Sequence, residues 1–353
     1  MKVNAQIFAG TLGVVLPLCK NRSTLPILTC VKLQATSGRL AVTATDLDAF
    51  ATAGCLCEGD LEPVCVDSLA LQFLIGIAEG DVDLLVENKR LVVNGAGVAR
   101  LGIQPAEEFP TWPQGGCKVI GVNGTDLAKC LKGVAWAAEC NDKFNVDMWK
   151  ECVLVQTHPK AIECTGTNTK EFAHVYFPAI AAESRFLFPS KHAELLIEAL
   201  DLKDSVVEVG DTWVSVTADD FSVAVKLAED RYPNIKIVLE AEAQPLGTLD
   251  LGGLQESFGT LKALNHWEPF IGCSLVFAPE KVTVKYAGKA GSFSRTLAAK
   301  GNKLERSINL DAVRAFKVFH YPSDQAKAVL GQGVIRFHDG DYTYALALMK
   351  DDK

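Results

Sequence analysis

Six stretches of helical periodicity recur about every sixty residues in a chain that otherwise alternates like β-strand. The first runs from about Ile7 to Leu18. The second follows Asp67, with Leu71, Leu74 and Ala78 on one face, and the third follows Thr125, with Leu127, Leu131, Val134 and Ala138. The fourth follows Ser190, with Leu195, Leu196 and Ala199. The fifth carries Leu254, Phe258 and Leu261, and the sixth follows Asn309, with Leu310, Val313 and Phe316. Asp67, Thr125, Ser190 and Asn309 each stand where a helix N-cap is expected. Between the helices lie period-two segments such as Leu40–Thr45, Val214–Thr217 and Lys281–Tyr286.

One helix per sixty residues implies a six-fold repeat of a unit with one helix and several strands, and two units make a domain of ordinary size. The unit ends also rhyme. Arg100–Ile103 leads into Pro105-Ala106-Glu107-Glu108-Phe109-Pro110, and Val225–Leu227 leads into Ala228-Glu229-Asp230-Arg231-Tyr232-Pro233. The reading is an α+β chain of three similar domains over 1–115, 116–240 and 241–353, each with two helices packed on antiparallel sheets.

The charge balance limits what such a chain binds. Its 353 residues carry a net charge of −8, so contact with nucleic acid needs positive charge gathered locally on an acidic body. The helical segments hold Lys20, Lys129, Lys132, Lys191, Lys262, Arg314 and Lys317 against Asp67, Asp126, Glu194, Glu198, Asp250, Glu256 and Asp311. They are neutral in sum, with the mid-helix residues leaning positive and the aspartates at helix starts acting as caps.

Signals for an enzyme are missing from the sequence. It has no GxxxxGK[ST] and no GxSxG, and Arg100 and Arg336 stand where the third glycine of a dinucleotide site belongs. The histidines at 158, 174, 192, 266, 320 and 338 have no metal-ligand spacing, and the eleven cysteines include no CxxC. We expect no cofactor, no metal, no catalytic residue, and reduced, buried thiols. Pro17 and Leu18 before Cys19 lack the small residues of a lipoprotein cleavage site, so the expected location is the cytoplasm, with no membrane partner. Two rivals follow from the same facts: an enzyme on a repeated α+β scaffold with an unrecognised site, and an exported binding protein.

Asn21-Arg22-Ser23-Thr24-Leu25-Pro26-Ile27-Leu28, followed by Thr43-Ala44-Thr45-Asp46-Leu47, resembles the first domain of the bacterial sliding clamp, the β subunit of DNA polymerase III. Pro105–Pro110 and Arg231–Asn234 resemble that family's two interdomain junctions. Ile308-Asn309-Leu310 with Val313, and the Tyr344–Met349 end, resemble its third domain. The resemblance implies a non-catalytic processivity factor whose homodimer closes head to tail into a ring. Helices line the hole and sheets form the shell. Twelve helices about 10 Å apart give a circumference of about 120 Å and a diameter of about 38 Å, wider than a B-form duplex.

The implied partners are duplex DNA, held topologically, the replicative polymerase, a clamp loader, and other proteins carrying a clamp-binding motif. The resemblance implies DNA contact at Arg22 and Trp149, with Met148 before it in place of a usual aromatic, and Lys20 and Lys132 are the helix-borne cations expected to join them. It implies a partner-peptide groove at Lys150, Thr167, Thr169, Lys170, Glu171, Phe172, Pro233, Ile237, Val238, Ala345, Ala347 and Met349. Thr169–Phe172 departs from the family's Gly-His-Arg-Leu-like run, and Ala347 replaces a usual methionine.

Overall fold

The computed structural model describes residues 1–20, 22–113, 117–138, 147–266, 268–289, 291–318 and 325–349. Asn21 and His320, named above, and Cys140, one of the eleven cysteines, lie outside them. Among the described residues the order is β1 (Lys2–Asn4), α1 (Ala5–Val15), β2 (Cys30–Thr36), β3 (Arg39–Thr45), β4 (Ala49–Leu56), β5 (Leu61–Asp67), α2 (Ser68–Gly76), β6 (Asp81–Glu87), β7 (Arg90–Asn94), β8 (Val98–Gln104) and β9 (Lys118–Val119). There follow α3 (Gly124–Val134), β10 (Cys152–His158), β11 (Ala161–Thr167), β12 (Glu171–Pro178), β13 (Ser184–Pro189), α4 (Ala193–Leu200), β14 (Val206–Val209), β15 (Trp213–Thr217) and β16 (Phe221–Lys226). The chain continues with a four-residue α5 (Lys236–Leu239), β17 (Gln244–Asp250), α6 (Leu251–Leu264), β18 (Gly272–Ala278), β19 (Lys281–Gly288), β20 (Gly291–Lys300), β21 (Arg306–Asp311), α7 (Ala312–Val318), β22 (Gln325–Gly331), β23 (Val334–Asp339) and β24 (Tyr342–Ala347).

All six expected helices are present. Asp67 caps α2 by accepting the Ala70 N–H at 2.8 Å, and Asp250 caps α6 by accepting from Gly253 at 2.9 Å. Three expected caps move by two or three residues. Asn123, not Thr125, accepts from the Asp126 N–H at the start of α3. Asp311, not Asn309, accepts from Val313 at the start of α7. Ser190 opens a 3-10 turn, Ser190–His192, which leads into α4. At α3 and α7 the acceptor is the residue whose short side chain stands two or three residues before an open N–H, whereas no side-chain cap closes the Ser190–His192 turn.

The chain resolves into two compact units, residues 1–128 with 194–227 and residues 129–193 with 228–353, so residues 116–240 are shared between them. The first unit holds a twelve-stranded sheet in the order β1-β6-β7-β8-β5-β2-β3-β4-β16-β15-β14-β9. Helices α1 and α2 pack on each other, burying Phe8, Leu12, Leu71 and Ile75. The second unit holds a twelve-stranded sheet in the order β13-β10-β11-β12-β24-β23-β22-β17-β20-β19-β18-β21. Helices α6 and α7 pack on each other, with Leu254, Phe258, Leu261 and Ala315 buried.

Two strands leave part of one edge open among the described residues. β8 pairs with β7 over 98–102 but meets β5 only at Ile103 and Gln104. β20 pairs with β19 over 291–298 but meets β17 only at Ala299 and Lys300. Beside the β8 edge, α2 exposes Leu69, Phe73 and Ile77, one row at i, i+4 and i+8.

Candidate partner groove and nucleic-acid face

In the second unit, cross-strand pairing assembles a floor from residues far apart in sequence. Directly paired residues share a face of an antiparallel sheet. Thr167 pairs with Phe172, Phe172 with Ala345, and Ala345 with Arg336, giving one row across β11, β12, β24 and β23. All four are buried. The next row on that face is Thr165, His174, Thr343 and His338. Thr165 Oγ1 meets His174 Nδ1 at 2.9 Å, and Thr343 Oγ1 meets His338 Nδ1 at 3.0 Å. Burial lowers the His174 pKa to about 4. His338 is lowered as well, by burial and by the nearby Arg336 charge.

Residues 228–241 cross this face. The Ala228 N–H bonds to the Leu187 carbonyl at 2.9 Å on β13. Tyr232 then donates its hydroxyl to the Thr165 carbonyl at 3.0 Å, and packs with Cys152, Leu154 and Leu187. At the far end Arg336 donates to the carbonyls of Val238, Leu239 and Ala241. The stretch between, with Pro233, Ile237 and Val238, therefore walls the row of Thr167, Phe172 and Ala345. Pro233 and Ile237 are exposed, and Val238 is half-buried.

The turn joining β11 and β12 sets the rim. Asn168 Oδ1 accepts from the N–H groups of Lys170 and Glu171, and Thr169 takes a φ of 77°. The Ala347 N–H bonds to the Lys170 carbonyl at 2.9 Å, which holds the exposed Lys170 and Ala347 together. Glu171 faces the other way: it pairs with Leu346, is buried, accepts from Asn168 Nδ2 at 2.8 Å and lies 3.9 Å from Arg314 on α7. Lys150 pairs with Asp147 at 2.7 Å and lies over the Trp149 ring. Met349 has different neighbours. Its N–H bonds to the Asn309 carbonyl, and its side chain borders Gly272 in a cleft of about 770 Å³ that also touches Lys285 and Ser294. The structure thus gathers Thr167, Lys170, Phe172, Val238, Ala345 and Ala347 at one place, turns Glu171 away, and sets Met349 in its own cleft.

The residues expected to meet DNA are less uniform. Lys20, Arg22 and Lys132 are exposed, as is Met148. Trp149 is half-buried: its N–H bonds to Asp230 at 3.0 Å and its ring meets Tyr232 edge-on, with centroids 6.0 Å apart. Much of the helix charge is engaged locally. Arg314 lies 3.3 Å from Asp311, Glu256 pairs with Arg295 at 2.8 Å, and Lys262 lies over the Phe316 ring. Arg336, Tyr232 and the Thr–His rows were not read from the sequence as site residues. Arg336 figured there only as the residue that breaks a GxGxxG run, although it is also a charged residue inside an otherwise apolar stretch, Val334–Phe337.

Element order and sheet topology define the sliding-clamp fold. A crystal structure of the DNA polymerase III subunit beta from Pseudomonas aeruginosa superposes with a TM-score of 0.87, covering 99% of both chains at 19% identity. Residues 1–113 match the family described as DNA polymerase III beta subunit, N-terminal domain. The beta sliding clamp of Pseudomonas putida is 24% identical over 286 residues, 78% of this chain and 77% of that one. That of Pseudomonas aeruginosa is 25% identical over 267 residues, 72% of each. The chain is thus similar to beta sliding clamps by its first 113 residues, by sequence over about three quarters of its length, and by fold throughout.

Proposed function

We propose that this chain is a sliding-clamp subunit that encircles duplex DNA and tethers the replicative polymerase, with three clamp domains over 1–115, 116–240 and 241–353. The observation that carries the reading is the clamp fold along the whole chain, joined to six evenly spaced helices with few net charges. A ring of this kind holds DNA by topology, and its phosphate contacts are few, loose and salt-sensitive. Lys20, Arg22 and Lys132 supply those contacts, with Met148 and Trp149 beside them. The subunit performs no chemistry of its own and works in the cytoplasm; no helix among the described residues is long and apolar enough to cross a membrane.

Two chains meet head to tail. The open edge of β8, flanked by Leu69, Phe73 and Ile77, is suited to the open edge of β20 in a second copy. The row of Thr167, Phe172 and Ala345 under Val238 suits an apolar anchor from a short partner peptide, with Lys150, Thr169, Lys170, Pro233, Ile237 and Ala347 around it and Met349 in the neighbouring cleft. Polymerase and clamp loader are the expected bearers of such peptides.

The test is retention on DNA after loading by a clamp loader. The ring stays on a nicked circle and leaves a linear duplex by its ends. Equal lifetimes on the two substrates overturn the reading.

A further inference from the structure

Arg336 is 4% exposed on a strand whose neighbours Ile335 and Phe337 are core residues on the opposite face. Among the described residues no carboxylate lies within ion-pair distance of it, and its Nε has no partner. Its guanidinium is answered by backbone alone. Nη1 serves the carbonyls of Val238 and Leu239, and Nη2 serves that of Ala241 at 2.6 Å.

Those carbonyls lie at and just past the end of α5, where a helix leaves its last carbonyls without intrahelical donors. Four residues are far too few for a helix to hold itself. Its place must come from tethers outside it. The upstream tether is Tyr232 on Thr165; the downstream tether is Arg336, almost a hundred residues on in the sequence. A planar fork spans three carbonyls from one buried stem, which a single ammonium cannot do. The strand neighbour of Arg336 is Ala345, part of the groove floor.

We infer that Arg336 is a positioning residue for the partner groove: it caps α5 and fixes where Ile237 and Val238 stand over Phe172 and Ala345. The inference rests on the groove reading above. Arg336 itself is buried beneath the wall it holds and acts on a peptide only through that wall.

The test uses the full chain and two measurements. The first is hydrogen exchange of the Val238, Leu239 and Glu240 amides, which bond within the segment to the Ile235 and Lys236 carbonyls. The second is calorimetry with the blocked probe peptide Ser-Leu-Ser-Leu-Phe. In Arg336→Met these amides exchange at least about tenfold faster, exchange in β10 and β11 is unchanged, and peptide affinity falls at least about tenfold. Arg336→Lys falls between, and it carries the test if the methionine variant does not fold. Unchanged exchange overturns Arg336 as a tether. Faster exchange with unchanged affinity overturns its role in the groove. Failure of the parent chain to bind the probe overturns the groove reading, and this proposal with it.

Discussion

Phe172 and His174, two residues apart on one face of β12, stack with ring centroids 6.4 Å apart and planes 24° apart. The apolar floor of the groove therefore rests on an imidazole that burial keeps neutral. In the unfolded chain a histidine titrates near 6.5. The unfolded state thus binds more protons than the folded one between about pH 6.5 and 4, and stability falls as pH drops through that window.

With the folded pKa at about 4, His174 alone removes about 2 kcal/mol between pH 7 and 5. Urea unfolding at the two pH values measures it. His174→Gln flattens that part of the profile. A parent chain equally stable at pH 7 and 5 contradicts the assignment.

Tyr232 bonds to a carbonyl within the strand array, and burial pushes its hydroxyl pKa up. Tyr232→Phe keeps the packing and loses the bond, at a cost of about 1 kcal/mol in unfolding free energy. Tyr232→Ala also opens the cluster around Cys152, Leu154 and Leu187, and costs about 3–5 kcal/mol. Equal losses in the two variants go against the hydrogen bond having a separate value.

Gly166 marks a close approach. A Cβ built there falls 2.1 Å from the Val134 carbonyl oxygen at the end of α3, and backbone cannot swing aside as a side-chain tip can. Gly166→Ala is expected to cost about 3 kcal/mol, read as a lowered thermal midpoint. A neutral result means that α3 can lift from β11 at little cost.

Val238→Asp places a carboxylate in the groove wall, where peptide binding would desolvate it. Affinity for a peptide ending in Leu-Phe falls by about 2 kcal/mol or more. Met349→Lys, set among Gly272, Asn309 and Lys285, has the smaller effect. Calorimetry ranks the two, and the reverse order moves the anchor site to the Met349 cleft.

Sedimentation checks the ring. The parent runs at twice the 38.0 kDa chain mass, and Phe73→Asp runs as a monomer with little change in thermal midpoint, because Phe73 is 68% exposed within one chain. A dimer that tolerates the aspartate places the interface elsewhere.

The repeat of helices was legible because each one buries a stripe at 3.6-residue spacing, as Leu127, Leu131 and Val134 do. Cap positions were less so, since Thr125 competes with Asn123 and Asn309 with Asp311 within one turn. The long ladders were not legible at all. Val223 pairs with Ala51 and Phe172 with Ala345, and nothing local in either strand names a partner some 170 residues away. For the same reason Phe172 and Ala345 were reached only through a family likeness, and Arg336 was not reached as a site residue. A lone arginine in a strand reads as an edge or surface residue until the segment it holds is seen above it.

The open edges of β8 and β20 raise a question of fidelity. Main-chain donors and acceptors are the same in every protein, so a bare strand edge accepts any strand of matching length and twist. A cell that makes two clamp-type chains would therefore form mixed rings unless side chains veto the pairing. The residues placed to do so are those beside the ladder: exposed Arg100 on one edge, Arg295 and Thr296 on the other, and the Leu69–Phe73–Ile77 row above. Selection for a private ring would act on that handful of positions and leave the hydrogen-bonding frame unchanged.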